Sequence, residues 1–70
     1  MTDEKMIHMA NQIAAFFETQ PEDAVAAVAD HLEKFWEARM KAQLYAHVDR
    51  GGKGLHDSVI AAVTRMRETA

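Results

Sequence analysis

Residues that interrupt helices are rare in this sequence, and their positions divide it into three segments. The chain has one proline, Pro21, and three glycines, which all lie between Gly51 and Gly54. The residue before a proline is disfavoured in the α region, whereas proline itself suits the first turn of a helix. Glycine can adopt the positive φ of a helix C-cap. The sequence therefore predicts corners at these two places, with a second helix that opens at Pro21.

Within the segments, apolar residues recur at the three- and four-residue spacing of an amphipathic helix, and no alternation typical of a strand is present. The first helix is predicted from about Asp3 to Thr19, and the last from about His56 to Glu68. The pattern indicates an all-α fold. The apolar positions that carry this spacing are Met6, Met9, Ala10, Ile13, Phe16, Phe17, Val25, Val28, Ala29, Leu32, Phe35, Trp36, Met40, Leu44, Val48, Leu55, Val59, Ala62, Val63 and Met66.

The middle segment, 21–50, is too long to remain one helix in so small a bundle. At the α-helical rise it would be about 43 Å long, nearly twice either neighbour, and half of it would have no partner within the chain. We therefore predict a bend or break near Trp36–Ala38. The expected architecture is a single helical domain, residues 1–70, built as a small bundle of three to four helices.

The size of the chain limits its stability. A domain of 70 residues buries only about 60% of the surface that its unfolded form exposes, so the stability of the isolated domain is expected to be marginal. Disulfides or thiolate zinc sites often reinforce such small domains, but the sequence has no cysteine. Contact with another polypeptide is the obvious remaining source of stability. These features favour an interaction module.

The charge balance bears on the class of partner. The formal net charge is −3, which disfavours nucleic acid because phosphate binding depends on Lys and Arg. A local basic cluster consists of Lys34, Arg39 and Lys41. Because Glu33 and Glu37 are interleaved with it, we interpret this cluster as a solvated helix face.

Neither a membrane span nor a secretion signal is expected. The longest apolar run is Ala24–Ala29, far shorter than the ~20 residues that a transmembrane helix needs. The N-terminal residues Met1–Lys5 lack the basic region of a signal peptide. We therefore expect a cytoplasmic protein without membrane contact.

Residue patterns that support catalysis, metal binding or nucleotide binding are not found. The histidines His8, His31, His47 and His56 include no pair at the i, i+4 spacing that places two ligands on one helix face. The only serine, Ser58, lies in the predicted first turn of the last helix, where a capping role is expected. The glycine cluster follows a helix and lacks the P-loop spacing. We predict no catalytic, cofactor-binding or metal-binding residue.

Two pairs of adjacent aromatic residues, Phe16–Phe17 and Phe35–Trp36, are candidates for a binding surface. Neighbouring helix positions point about 100° apart, so one member of each pair can face outward. For Phe35–Trp36 we predict exposure, because Trp, Arg and Met are enriched at interfaces and Arg39 and Met40 lie one turn further on.

The predicted partner interface contains residues from the first and the middle segments of the chain. A polar residue, Asn11, lies on the strongly apolar first helix and is expected to hydrogen-bond a partner backbone, with exposure to solvent as the alternative. The other predicted interface residues are Phe35, Trp36, Arg39 and Met40, with His31 one turn before them and Phe16 or Phe17 alongside.

Two motifs carry a resemblance to a known family. They are Met-Ala-Asn-Gln-Ile-x-x-Phe-Phe at Met9–Phe17 and His-x-x-x-Phe-Trp-x-x-Arg-Met at His31–Met40, followed by Gly54-Leu55. Together they resemble the delta subunit of soluble NAD-dependent formate dehydrogenase over nearly the whole chain. That family commonly has prolines where this sequence has Ala38 and Asp57.

The resemblance implies a non-catalytic accessory subunit. Such enzymes oxidise formate at a molybdenum or tungsten bis-pterin centre in the alpha subunit, and pass electrons through iron–sulfur clusters and flavin (FMN) to NAD. By this resemblance the chain itself holds none of these cofactors. Its implied role is assembly or stability of the complex through contact with the cofactor-bearing alpha subunit.

Other classes of function remain as alternatives. The chain could be a free-standing homo-oligomeric helical module, a homodimer when isolated, in which the aromatic residues pair with their own copies. A small regulatory adaptor is a further alternative. An enzyme that acts alone is disfavoured.

Overall fold

The computed structural model describes residues 1–69, which form four helices and no strand. The helices are α1 (Asp3–Glu18), α2 (Ala24–Phe35), α3 (Ala38–Asp49) and α4 (Asp57–Glu68). This arrangement confirms the predicted all-α bundle. The most extensive contact joins α2 and α4, and α1 packs against each of the other three helices. Within this described part of the chain, no helix is both long and apolar enough to cross a bilayer.

The core is apolar, and no polar or charged residue among the described positions is buried with it. All of the buried hydrophobic residues except Ala14 belong to the apolar positions predicted from the helical spacing. Helical periodicity therefore locates the interior of this small bundle well. The buried residues are Met6, Ala10, Ala14, Val28, Ala29, Leu32, Trp36, Leu44, Leu55, Val59, Ala62, Val63 and Met66.

The second helix begins later than the proline suggests. It starts at Ala24, so the prediction that Pro21 opens the helix is wrong. The Asp23 carboxylate accepts hydrogen bonds from the backbone N–H groups of Val25 and Ala26, at 3.0 and 3.3 Å. These N–H groups have no partner within the helix, and an aspartate at the N-cap satisfies them. Asp23 therefore sets the start of α2, while Pro21 lies in the preceding turn.

The predicted break in the middle segment is confirmed. Trp36 and Glu37 both leave the helical region, with ψ values of 133° and 159°. The helix resumes at Ala38, so the break forms without a proline. The break divides the long segment into two helices of 12 residues each, and both find partners within the bundle.

The glycine cluster ends α3 as predicted. Gly51 and Gly52 have φ values of 113° and 67°, which is the region that glycine adopts without steric cost. Their N–H groups donate to the carbonyl oxygens of Val48 and His47, at 2.9 and 3.0 Å. A Cβ atom at Gly52 would lie 3.0 Å from the Ile60 side chain. Glycine is thus required there both for conformation and for space.

Candidate protein-binding surface

The predicted anchor of the interface, Trp36, lies inside the molecule. Its side chain is only 6% exposed and belongs to the hydrophobic core, so the prediction that the indole faces outward is wrong. Trp36 caps the C-terminus of α2 in an extended conformation. Trp36 lies four residues after the buried Leu32, and its N–H still donates to the Leu32 carbonyl oxygen at 3.1 Å, so the helical period itself places the indole on the buried face of α2. A residue this buried supports the fold and offers almost no surface to a partner.

Its neighbour Phe35 takes the outward position instead. The side chain of Phe35 is 71% exposed, and that of Phe16 is 60% exposed. A single exposed apolar side chain is normal on a protein surface, whereas several that form one patch indicate a binding site. One member of each aromatic pair therefore faces solvent, as predicted from the angle of about 100° between neighbouring helix positions. In the second pair this member is the phenylalanine and not the tryptophan.

Two half-buried rings connect these exposed phenylalanines into one surface. The ring centroids of Phe16 and Phe17 lie 5.2 Å apart, those of Phe17 and His31 lie 5.9 Å apart, and those of His31 and Phe35 lie 4.8 Å apart. These spacings are typical of interacting aromatic rings. We call this continuous set of four side chains, Phe16, Phe17, His31 and Phe35, the aromatic strip.

Two helices position the aromatic strip. Phe16 and Phe17 lie in the last turn of α1, where the Thr19 hydroxyl donates to the Phe16 carbonyl at 2.7 Å and helps to end the helix. His31 and Phe35 are four residues apart on α2, a spacing that places them on the same face. The contact between α1 and α2 brings the two pairs together. The strip thus depends on the packing of two separate helices.

The other predicted interface residues lie outside the strip. Arg39 and Met40 are in the first turn of α3, beyond the break. Arg39 is exposed, whereas Met40 is partly buried against the core. Neither takes part in the ring contacts that define the strip, so the structure groups His31, Phe35, Phe16 and Phe17 and leaves these two residues apart.

Asn11 has partners within its own chain. Its Nδ2 donates to the Gly54 carbonyl oxygen at 2.8 Å, and its Oδ1 accepts from the His56 backbone N–H at 2.9 Å. The interpretation of Asn11 as a residue that binds a partner backbone is therefore corrected: it joins α1 to the glycine loop and to the start of α4. Helical periodicity cannot reveal such a contact, because both partners are backbone atoms more than 40 residues away.

A polar cluster of Glu18, His56 and Ser58 was not anticipated from the sequence. The Ser58 hydroxyl donates to Glu18 Oε2 at 2.6 Å, and His56 Nδ1 lies 3.2 Å from the same oxygen. Two hydrogen bonds lower the pKa of Glu18, and the one from Ser58 has a larger effect than the one from His56. Both favour the ionised carboxylate. Ser58 is in the first turn of α4, as predicted. The cluster joins the end of α1 to the start of α4.

The residues of this chain do not fit the redox groups expected of a formate dehydrogenase. Iron–sulfur clusters are held by cysteine thiolates, and the sequence contains no cysteine. Over residues 1–69, no three His, Asp or Glu side chains come close enough together to hold a metal ion.

The described surface also contains two open concavities. One, of about 300 Å³, lies between α2 and α4 and includes Asp30, Glu33 and Arg65 in its lining. The other, of about 370 Å³, lies on α1 and includes Lys5 and Met9. Both are open to solvent, and at least three polar or charged residues line each of them, whereas a small-molecule site is enclosed and mostly apolar. The aromatic strip is the more distinctive surface.

Comparison with known proteins supplies the family. The family model described as NADH-dependent formate dehydrogenase delta subunit FdsD matches residues 5–63. The chain belongs to this family. The matched region includes Asn11, the whole aromatic strip and the glycine loop, and it ends within α4. None of the curated proteins compared with this chain matches it significantly.

Membership of the delta subunit family agrees with the resemblance that the two sequence motifs carry. It implies association with the formate dehydrogenase complex. The second motif, at residues 31–40, contains two strip residues and the tryptophan that fills the core. The motif therefore combines a surface element with a structural one, and the two roles belong to adjacent residues.

Proposed function

We propose that this FdsD-family chain is a non-catalytic accessory subunit, which supports assembly or stability of formate dehydrogenase by contact with the cofactor-bearing alpha subunit. The contact is made through the aromatic strip. The redox cofactors, a molybdenum or tungsten bis-pterin, iron–sulfur clusters, FMN and NAD, are held by the other subunits. A cytoplasmic location is part of the same proposal.

The observation that carries the proposal is the exposure of Phe16 and Phe35, at 60% and 71%, within the region that matches the family. Covering an exposed phenyl ring stabilises an association by about 1.5–3 kcal/mol. Two such rings that share one surface can dominate a small interface, because few residues supply most of the binding free energy. Covering them also stabilises the chain itself, since binding to the folded state shifts the folding equilibrium.

The test is co-purification of the complex with a double variant, Phe16→Ser and Phe35→Ser. Both side chains are mostly exposed, so the fold is expected to persist, which the far-UV circular dichroism spectrum checks. The variant should be lost from the complex. A matched control, Ala42→Ser with Ala61→Ser, changes two exposed positions on α3 and α4 and should be retained at wild-type stoichiometry.

Retention of the folded double variant at wild-type stoichiometry would contradict the proposed contact. The accessory role has its own test. The isolated chain should show no formate-dependent reduction of NAD, whereas the complex reconstituted with it should be more stable than the complex without it. Turnover by the isolated chain would overturn the non-catalytic assignment.

A further inference from the structure

His31 gives the aromatic strip a polar centre. Its imidazole lies between the rings of Phe17 and Phe35, with centroid distances of 5.9 and 4.8 Å. The side chain is half-buried, and within residues 1–69 its ring nitrogens make no hydrogen bond. A surface that covers both phenyl rings must therefore also cover this imidazole and remove the water that solvates it.

Removing that water has a chemical consequence. A polar group that is buried without a hydrogen-bond partner opposes association, whereas a charge-assisted hydrogen bond favours it. An acceptor on the covering surface would satisfy the imidazole, and a carboxylate would form the stronger, charge-assisted bond.

We propose that the surface covering the aromatic strip presents a carboxylate to His31, set among apolar side chains that pack on Phe16 and Phe35. This inference rests on the proposed function, and it specifies the chemistry of the partner surface on the alpha subunit. An acidic residue within an apolar patch is the recognition element. A patch without any hydrogen-bond acceptor would leave the imidazole unpaired.

The ionisable groups around His31 do not replace this partner. On α2, Asp30 pairs with Lys34 at 3.1 Å, and Glu33 lies 3.9 Å from Lys41. On α1, Glu18 is engaged by His56 at 3.2 Å. Arg65 of α4 shares a groove with Asp30 and Glu33, and Glu37 and Arg39, which carry opposite charges, follow the end of α2.

A carboxylate partner makes the association depend on pH. It favours the protonated imidazole, so binding takes up a proton and strengthens as the pH falls through the range in which histidine titrates. A carbonyl acceptor has no such effect, because it pairs equally well with the N–H of the neutral ring. The pH dependence therefore distinguishes the two acceptors.

The experiment measures the Kd of the 70-residue chain for formate dehydrogenase prepared without it, at pH 8 and pH 6. The wild-type chain should bind about sixfold more tightly at pH 6, the change expected if the carboxylate favours the protonated imidazole tenfold. The variant His31→Gln keeps a hydrogen-bonding side chain but cannot titrate, and its Kd should vary much less. The control His8→Gln, at an exposed position on α1, should keep the wild-type dependence.

The outcomes separate the two proposals. Binding of wild type with the same Kd at both pH values, or an equal pH dependence in His31→Gln, overturns the carboxylate and leaves the accessory role standing. No binding at either pH overturns the docking function itself, and the inference with it.

Discussion

At the scale of single residues, adjacent positions in this chain have opposite roles. Trp36 is 6% exposed and fills the core, while Phe35 is 71% exposed and belongs to the aromatic strip. The helical period already distinguishes them, because Trp36 lies four residues after the buried Leu32, whereas Phe35 lies four residues after the half-buried His31. The prediction of an exposed tryptophan relied on residue type, because Trp is frequent at interfaces. It is wrong because the indole packs in the core.

This difference predicts separate effects of substitution. Trp36→Ala removes a buried indole and should lower the free energy of unfolding by about 3–5 kcal/mol. Phe35→Ala removes a side chain that is mostly solvated and should change it by less than about 0.5 kcal/mol. Urea unfolding of the isolated variants gives both values. Equal destabilisation by the two substitutions would show that the indole does not support the fold.

At the scale of helices, the sequence predicts the elements well and their ends less well. The positive φ of the glycines and the break near Trp36 follow from local chemistry and from the length of the middle segment. Pro21 and Asp23 are both typical of the start of a helix, and the sequence pattern alone does not choose between them. The helix begins after Asp23, which caps it, and not at Pro21. The hydrogen bonds of Asn11 with the backbone of Gly54 and His56 depend on tertiary packing. A periodic pattern in one sequence does not show which distant residues come together.

The break at residues 36–37 makes a prediction about proline. Ala38 is the first residue of α3, and Glu37 before it has φ −66° and ψ 159°, a conformation that a following proline favours. Ala38→Pro should therefore raise the free energy of unfolding by about 0.4–1 kcal/mol, because proline restricts the unfolded chain. Ala42→Pro, in the interior of α3, should lower it by about 3 kcal/mol. Thermal unfolding compares the two, and marked destabilisation by Ala38→Pro would contradict the helix boundary.

At the scale of the whole molecule, exposed carboxylates fasten the helices to one another. Asp3 accepts hydrogen bonds from Gln43 and Arg50 of α3 and its C-cap, at 2.8 and 3.2 Å. Asp49 accepts two from Arg67 of α4, at 2.7 and 2.9 Å. The hydrogen bond from Gln43 is the largest cause of the lowered pKa of Asp3. The hydrogen bond from Arg67 is the largest cause of the lowered pKa of Asp49. Together with Glu18, these groups connect separate helices through ionised side chains.

The lowered pKa values of these carboxyls predict acid sensitivity. A group whose folded pKa lies below its unfolded pKa stabilises the fold above the unfolded pKa, and this contribution is lost as the pH falls through the folded one. The Tm should therefore fall between about pH 5 and pH 2. Glu18→Gln should lower the Tm at pH 7 and reduce its decrease in acid, while Glu22→Gln, outside these contacts, should match wild type. A Tm that is constant across this range would contradict the assigned role of the carboxylates.

Site-specific photo-crosslinking tests most directly whether the aromatic strip contacts the alpha subunit. The photoreactive residue p-benzoylphenylalanine replaces Phe35 in the strip or, as a control, Ala61 on the exposed face of α4. Irradiation of the assembled complex should join the alpha subunit to position 35 and not to position 61. A complex that retains the labelled chain but crosslinks the alpha subunit only from position 61 would contradict the account.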